Sequence, residues 1–171
     1  VDLPQVVAFE RPAGGEAAVA EAARLLSDAK NPVILSGAGV VLSGAIPDLV
    51  RLAERLDAPV ASNYQHNDSF PGSHPLAVGP LGYNGSKAAM ELIRDADVVL
   101  ALGTRLNPFS TLPGYGIDYW PKEAKIIQVD INADRIGLTK KVTVGIQGDA
   151  AKVARAILAQ LSPEAGDEGR Q

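Results

Sequence analysis

The sequence predicts an α/β domain in three layers, in which a mainly parallel sheet of about six strands lies between helices on both faces. Short apolar runs alternate along the chain with longer segments whose apolar positions repeat at helical spacing. The apolar runs are nearly continuous, as expected for strands that a parallel sheet buries on both faces. The turn Gly37-Ala38-Gly39 follows the first of these strands, and it makes the predicted domain Rossmann-like.

Five segments are predicted as strands from their apolar runs. The clearest is residues 97–102, because it is wholly apolar after Asp97 and stops at Gly103-Thr104-Arg105. The five segments are residues 32–36, 59–61, 97–102, 125–130 and 142–146. The polar stretch 63–72 is predicted to be a loop, since it contains Asn, Asp, Pro and Gly and no apolar run.

Four helices are predicted between these strands. Helical spacing covers residues 16–27 and 46–56, Ser86 is a suitable N-cap for a helix that runs to Arg94, and Asp149 is a suitable N-cap for a helix that reaches Leu161. Residues 1–15 are interpreted as a linker, 16–162 as one domain and 163–171 as a polar tail. Because Val1 stands where Met is expected, the chain is interpreted as a fragment of a longer protein.

Composition excludes several classes of protein. The 171 residues contain 46% hydrophobic and 21% charged residues, which are ordinary values for a globular domain. The net charge is −4 and no basic stripe is present, so nucleic-acid binding is not expected. No apolar run approaches the roughly 20 residues of a membrane span. The absence of cysteine excludes disulfides, thiolate nucleophiles and cysteine zinc sites.

The turn Gly37-Ala38-Gly39 is a candidate phosphate site, because it lies between a strand and a helix whose first N–H groups would face a ligand. The full dinucleotide fingerprint is incomplete: Leu42 replaces the third glycine, and no acidic residue ends the next strand. A standard NAD site is therefore not expected. The alternative is a tight turn that only packs a helix on the sheet.

Two further strand ends carry groups that suit a nucleotide. Gly103-Thr104-Arg105 combines a permissive glycine, a hydroxyl and a guanidinium, which suits phosphate recognition. Asp130 could accept hydrogen bonds from a ribose. The alternative is that Arg105 and Asp130 pair with each other or with loop backbone.

No catalytic or metal-binding group is predicted from the remaining residues. His66 and His74 lie in a polar loop without other ligands at metal-binding spacing, and no pair of acidic residues is placed for acid–base catalysis. The loop 115–121 (YGIDYWP) gathers two Tyr and the only Trp. It is interpreted either as an interface or ligand wall, or as a cluster that covers the edge of the sheet.

The order of motifs resembles the central domain of the thiamine diphosphate enzyme superfamily that includes acetolactate synthase, pyruvate oxidase and oxalyl-CoA decarboxylase. The resemblance covers nearly the whole chain. Its motifs are residues 22–26 (AARLL), 31–39 (NPVILSGAG), 74–76 (HPL), 79–85 (GPLGYNG), 95–105 (DADVVLALGTR), 127–132 (IQVDIN) and 148–150 (GDA).

Within that superfamily, residues 113–122 (PGYGIDYWPK) and 134–141 (DRIGLTKK) resemble the sulfoacetaldehyde acetyltransferases most. The resemblance implies a cytoplasmic enzyme of sulfonate and taurine degradation that converts sulfoacetaldehyde and phosphate to acetyl phosphate and sulfite. It implies that thiamine diphosphate and magnesium are bound by flanking pyrimidine- and pyrophosphate-binding domains outside this chain. This chain would then be the central, non-catalytic domain of a homo-oligomer, without activity alone, and Asp149 a helix cap rather than a metal ligand.

The central domain holds FAD in acetolactate synthase and ADP in oxalyl-CoA decarboxylase. The positions that correspond here by resemblance are Gly37, Ala38, Gly39, Tyr83, Asn84, Gly103, Thr104, Arg105, Asp130 and Ile131. One departure is residues 106–109 (LNPF), which replace the charged residues of flavin-binding relatives. FAD is therefore not favoured over ADP or an empty cleft.

Two other functions remain as alternatives. One is an acetolactate synthase-like enzyme whose central domain binds FAD or ADP, and the other is a purely structural or oligomerisation module with the same DHS-like NAD/FAD-binding fold. The NAD-dependent protein deacetylases share a Gly-Ala-Gly loop after a strand. They require a four-cysteine zinc module, which a chain without cysteine cannot form.

Overall fold

The computed structural model describes residues 10–166, and the first nine residues of the predicted linker and the last five of the predicted tail lie outside them. The elements follow one another as α1 (Glu16–Ser27), β1 (Pro32–Ser36), α2 (Ala38–Leu42), α3 (Ile46–Leu56), β2 (Val60–Asn63), β3 (Ala77–Leu81), α4 (Lys87–Arg94), β4 (Val98–Leu102), β5 (Lys125–Asp130), β6 (Val144–Gln147) and α5 (Ala150–Leu158). Short 3-10 turns occupy Asn67–Ser69, Pro108–Thr111 and Ala133–Arg135.

The six strands form one sheet in the order β3-β2-β1-β4-β5-β6, and every pairing is parallel. The predicted three-layer fold is thus confirmed. The chain proceeds outwards from β1 to β3, returns to β4 beside β1, and then proceeds to the other edge. Order reverses between β1 and β4, which is where ligands bind in open sheets of this kind.

The central strands are buried on both faces, which explains why their apolar runs are continuous. Along β4, Val98, Leu100 and Leu102 face the core beneath α1, α3 and α5, whereas Val99 and Ala101 face a second core. The second core lies beneath α4 and the long loop after β4. Two apolar layers therefore hold the sheet, and none of the helices in residues 10–166 is long and apolar enough to span a membrane.

Two helices begin at the caps that the sequence predicts. The Ser86 hydroxyl accepts a hydrogen bond from the Ala89 N–H at 3.3 Å, and the Asp149 carboxylate accepts from the N–H groups of Ala151 and Lys152 at 3.1 and 3.2 Å. These bonds satisfy N–H groups that a first helical turn leaves unpaired. The prediction that Asp149 caps a helix is confirmed.

Two elements were not predicted. Strand β3 contains Gly79 and Pro80, which interrupt a strand pattern, and it is tolerated because it lies at the sheet edge and pairs only with β2. Helix α2 has only five residues and begins within the glycine turn, at Ala38.

The first residues of the predicted polar tail pack against the domain. Ala165 is 1% exposed, and the Arg55 guanidinium donates hydrogen bonds to the carbonyls of Ser162 and Ala165. The packed part of the chain therefore extends at least to these residues.

Candidate functional site

A cleft of about 420 Å³ lies at the carboxyl ends of β1, β4 and β5, where the strand order reverses. Seven of the ten predicted site residues line it: Ala38, Gly39, Gly103, Thr104, Arg105, Asp130 and Ile131. The sequence motifs are distant along the chain, and the parallel sheet brings them together because each follows the carboxyl end of a strand.

The glycine turns at the cleft floor are packed against each other. The Gly39 N–H donates to the Gly103 carbonyl at 2.8 Å, and the Gly37 N–H donates to the Leu102 carbonyl at 3.1 Å. A Cβ added to Gly39 would lie 2.6 Å from the Cα of Gly103. The structure therefore gives Gly37 and Gly39 a packing role, and the Gly39 N–H is already occupied by a protein acceptor.

Two guanidinium groups at the cleft are unpaired. Arg105 follows β4 and Arg135 ends the turn after β5, and both are exposed and line the cleft. Neither side chain makes a hydrogen bond or ion pair to another residue in the range 10–166. Arg105 and Asp130 do not pair with each other, whereas Asp130 does bond to loop backbone, as the alternative drawn from the sequence expected.

A third guanidinium, that of Arg11, reaches the same cleft from the segment before α1. It lies 3.1 Å from the Asp149 carboxylate and 3.5 Å from the Leu42 carbonyl oxygen. Arg11 therefore bridges the two sides of the cleft, from the start of α5 to the end of α2. The Asp149 carboxylate is fully used, by this ion pair and by its two bonds to α5.

Asp130, at the end of β5, retains an acceptor for a ligand. Its Oδ1 atom accepts from the Asn132 N–H at 2.9 Å, and its other oxygen has no partner among the described residues. The residue is almost wholly buried. A carboxylate fixed in this way by its own loop suits hydrogen bonds from a diol.

A buried polar pair, Asn63 and Thr104, forms part of the cleft lining. The Asn63 amide donates to the Thr104 hydroxyl oxygen at 2.9 Å, and the Leu106 N–H donates to that same oxygen at 3.2 Å. The Asn63 Oδ1 atom is buried with no partner among the described residues. The pair fixes the loop after β4 onto the end of β2.

Apolar surface completes the cleft. Leu42 is 76% exposed and Ile131 is also exposed, although both line a concave site. Exposed aliphatic side chains in a cleft that carries several guanidiniums suit a ligand with both an apolar ring and anionic groups. Guanidinium groups stay charged at all accessible pH values, so they do not act as general acids or bases. Side chains of this kind suit ligand binding rather than proton transfer.

Three of the predicted site residues lie outside the lining of the cleft, namely Gly37, Tyr83 and Asn84. Tyr83 is half exposed, and its ring packs edge-to-face on that of Tyr64 with centroids 6.1 Å apart. Asn84 occupies the left-handed region at φ 52°. Both belong to the loop after β3, near the sheet edge.

Twelve residues that line the cleft were not predicted as site residues, among them Arg11, Leu42, Asn63, His66, Arg135 and Asp149. Asn63 ends β2 and Arg135 lies in the turn after β5, so their positions at or just after strand ends were a signal that could have identified them. Arg11 precedes α1 and had no such signal. Among the described residues, no three His, Cys, Asp or Glu side chains are grouped to hold a metal ion.

The aromatic loop 115–121 has features of both interpretations drawn from the sequence, a cover for the sheet and an exposed aromatic surface. Tyr119 is completely buried in the second core, and Lys140 lies 4.9 Å from the centroid of the Trp120 ring. Tyr115 is largely exposed, and its hydroxyl donates to the Gly85 carbonyl at 3.1 Å. The second half of the loop covers the sheet, and the first half presents an aromatic ring to solvent.

A family model described as "Thiamine pyrophosphate enzyme, central domain" matches residues 19–157. Over its whole length the chain is 77% identical to a Rhizobium meliloti (strain 1021) protein named "Probable sulfoacetaldehyde acetyltransferase" and 74% identical to the sulfoacetaldehyde acetyltransferase of Roseovarius nubinhibens. The chain spans only 29% and 28% of the lengths of these two relatives.

The fold is also found among solved structures. Benzoylformate decarboxylase from Polynucleobacter necessarius superposes with a TM-score of 0.76 at 24% identity. The match covers 100% of this chain and 32% of that one. At this identity the likeness concerns the fold alone.

Proposed function

This chain belongs to the thiamine pyrophosphate enzyme central-domain family, and from that premise we propose that it is the central, non-catalytic domain of a thiamine diphosphate-dependent sulfoacetaldehyde acetyltransferase. The observation that carries the proposal is the 77% and 74% identity to relatives with that name. Such an enzyme converts sulfoacetaldehyde and phosphate into acetyl phosphate and sulfite. The active enzyme is a homo-oligomer in this proposal.

The residues of this chain do not fit the cofactor or its metal. Asp149 belongs to the sequence Gly148-Asp149-Ala150, which has some likeness to a magnesium motif, but its carboxylate caps α5 and pairs with Arg11. We therefore assign thiamine diphosphate and magnesium to flanking pyrimidine- and pyrophosphate-binding domains of the longer protein. The cofactor supplies the bond-breaking chemistry, and this chain supplies a scaffold and the cleft.

Enzyme assays test this assignment directly. The full-length protein, supplied with thiamine diphosphate, magnesium, phosphate and sulfoacetaldehyde, is expected to release acetyl phosphate and sulfite. The 171-residue chain alone is expected to release neither. Acetyl phosphate formed by the chain alone would contradict the non-catalytic role. A full-length protein that makes acetolactate from added pyruvate but releases no sulfite from sulfoacetaldehyde would contradict the proposed substrate.

For the cleft we propose a purine nucleoside diphosphate, with ADP as its simplest member. Arg105 and Arg135 are the unpaired cations that would bind the phosphates, and the free oxygen of Asp130 would accept from the ribose. Leu42 and Ile131 supply apolar surface for the base. Ala38, Gly39, Gly103 and Thr104 form the floor, with Gly37 behind it and Tyr83 and Asn84 towards the sheet edge.

FAD is the less favoured ligand of the same cleft. Residues 106–109 offer it no charged partner: Leu106 is buried, and the Asn107 side chain accepts from the Ser110 N–H at 2.9 Å to cap a 3-10 turn. The binding groups at the cleft match phosphates and a ribose, which ADP supplies without the additional flavin ring.

Calorimetric titration of the purified chain with ADP and with FAD tests the cleft. Arg105→Ala is expected to weaken ADP binding by about 10- to 100-fold, as loss of a charge-assisted contact worth about 1.5–3 kcal/mol implies. Arg94→Ala is the matched control, because it removes an exposed arginine that pairs with Asp95 at the end of α4, away from the cleft. Equal affinity for ADP in both variants would contradict a binding site at Arg105. If the unmodified chain binds neither ADP nor FAD, the domain has only a structural role.

A further inference from the structure

Gln128 lies in the middle of β5 and is 1% exposed, yet both its amide nitrogen and its amide oxygen have hydrogen-bond partners. Its Nε2 donates to the carbonyl oxygens of Thr104 and of Arg135, each at 3.2 Å. Its Oε1 accepts from the Gly137 N–H at 2.9 Å. Two acceptors and one donor surround the amide, so only one orientation of the side chain satisfies all three partners.

The partners of Gln128 belong to the two loops that carry the unpaired guanidiniums. One bonded carbonyl is in the peptide link between Thr104 and Arg105, and the other is in the link between Arg135 and Ile136. Both arginines line the cleft, while Gln128 itself does not. A single buried side chain therefore ties the backbone at Arg105 to the backbone at Arg135.

We propose that Gln128 is the positioning residue of the cleft: it holds the loops after β4 and β5 together so that Arg105 and Arg135 present their charges to one anionic ligand. The proposal rests on the nucleotide-binding role given to the cleft, and it deepens that role. Two exposed arginines on independent loops would lose conformational freedom when a ligand binds. Loops already joined through Gln128 lose less.

A second tie between the loops consists of a single hydrogen bond from an exposed side chain. The Thr139 hydroxyl donates to the Leu106 carbonyl at 2.6 Å, and Thr139 is exposed on the outer side of the second loop. This bond links the same two loops, at the residue after Arg105 and at the fourth residue after Arg135. Because Thr139 is exposed, Thr139→Val removes this bond with less effect on the core than a change of Gln128.

The absence of cysteine from the chain allows a direct measurement of loop separation. Spin labels on Arg105→Cys and Arg135→Cys report the distance distribution between the loops without any ligand. We expect a narrow distribution in this background and a clearly broader one after Gln128→Met, which keeps side-chain length and removes all three hydrogen bonds. An unchanged distribution would overturn the proposal.

Ligand affinity provides the second readout, with ADP titrated into unlabelled chain. At a temperature at which the variant is still folded, Gln128→Met is expected to weaken ADP binding at least tenfold. Ser69→Ala is the matched control: it removes a fully buried hydroxyl bonded to Ser36, and neither residue lines the cleft. It should lower the melting temperature and leave affinity and label distances unchanged.

The two readouts separate the two proposals. If the unmodified chain binds no ADP, the nucleotide role of the cleft fails, while the label distances still decide whether Gln128 positions the loops. If Gln128→Met does not fold, Thr139→Val replaces it, with a smaller broadening and a two- to fivefold loss of affinity expected. Affinity retained in a folded Gln128→Met chain would overturn the positioning role.

Discussion

Gly39 and Gly103 approach each other so closely that neither has room for a side chain. A Cβ on Gly39 would lie 2.6 Å from the Cα of Gly103, and one on Gly103 would lie 2.7 Å from the Cα of Gly39. Gly103 also adopts a φ of +61°, which side chains rarely allow. Both glycines are therefore required by the packing of the two turns, whether or not a ligand binds.

Gly39→Ala is expected to destabilise the chain by about 1–3 kcal/mol, in the range of overpacked sites. In a helix, alanine is ordinarily more stable than glycine by about 1 kcal/mol. The clash with the Gly103 backbone therefore decides that Gly39→Ala lowers, rather than raises, the free energy of unfolding. Gly72→Ala is the control, since nothing lies within 4 Å of its added Cβ. Urea unfolding measures both, and equal stability of the two variants would refute the packing role.

Tyr119 carries a buried polar group that reduces stability, since its hydroxyl has no hydrogen-bond partner among the described residues. Tyr119→Phe is expected to stabilise the chain by up to about 1 kcal/mol, because an unsatisfied polar group is removed and the ring is kept. Tyr115→Phe should instead lose up to about 1 kcal/mol, as it breaks the bond to the Gly85 carbonyl. Thermal or urea unfolding distinguishes the two signs.

The same residue predicts a pH dependence at alkaline pH. Burial raises the pKa of the Tyr119 hydroxyl above its ordinary value of about 10. The unfolded chain therefore loses this proton before the folded chain does, and stability present below pH 10 declines as the pH rises further. The stability advantage of Tyr119→Phe should grow above pH 10. A constant difference between pH 8 and pH 11 would count against a buried, protonated hydroxyl.

At the scale of single elements, α5 depends on one residue at its start. Asp149 bonds two N–H groups of the first turn and also pairs with Arg11. Asp149→Ala is expected to cost about 1–2 kcal/mol, and Asp149→Asn clearly less, because asparagine keeps a capping oxygen. Urea unfolding of the two variants tests this. Equal losses would mean that the ion pair, rather than the cap, stabilises the helix.

The elements that the sequence predicted well are those whose signals are local. Helices α1 and α3 agree with their predicted ranges because apolar periodicity and flanking residues such as Asn31 and Pro32 define them. Strand β3 was missed because Gly79 and Pro80 weaken a strand signal, and only pairing with β2 at the sheet edge stabilises it. Where an edge strand such as β3 begins and ends is therefore decided by its pairing with the neighbouring strand.

For the whole molecule, a ligand that fills the cleft should stabilise the fold. ADP at about 100 times its dissociation constant is expected to add about 2.7 kcal/mol, which for a domain of this size raises the melting temperature by about 5–10 °C. Calorimetry or thermal-shift measurements on the chain provide the test. At the same ADP concentration, the 10- to 100-fold weaker binding of Arg105→Ala should stabilise that variant by only about 0.4–1.4 kcal/mol, which raises its melting temperature by about 1–5 °C. A shift as large as in the unmodified chain would contradict binding at the cleft.

The sequence by itself determined the fold class, the predicted caps at Ser86 and Asp149 and the strand-end motifs, because each of these depends on residues close together in the chain. The strand order then brought seven predicted residues to one cleft. Only the tertiary structure decided that Gly39 uses its N–H for packing, that Arg11 reaches the cleft, and that Gln128 joins the loops of Arg105 and Arg135. Those contacts join segments that are far apart in the sequence, so they cannot be predicted from the pattern of neighbouring residues.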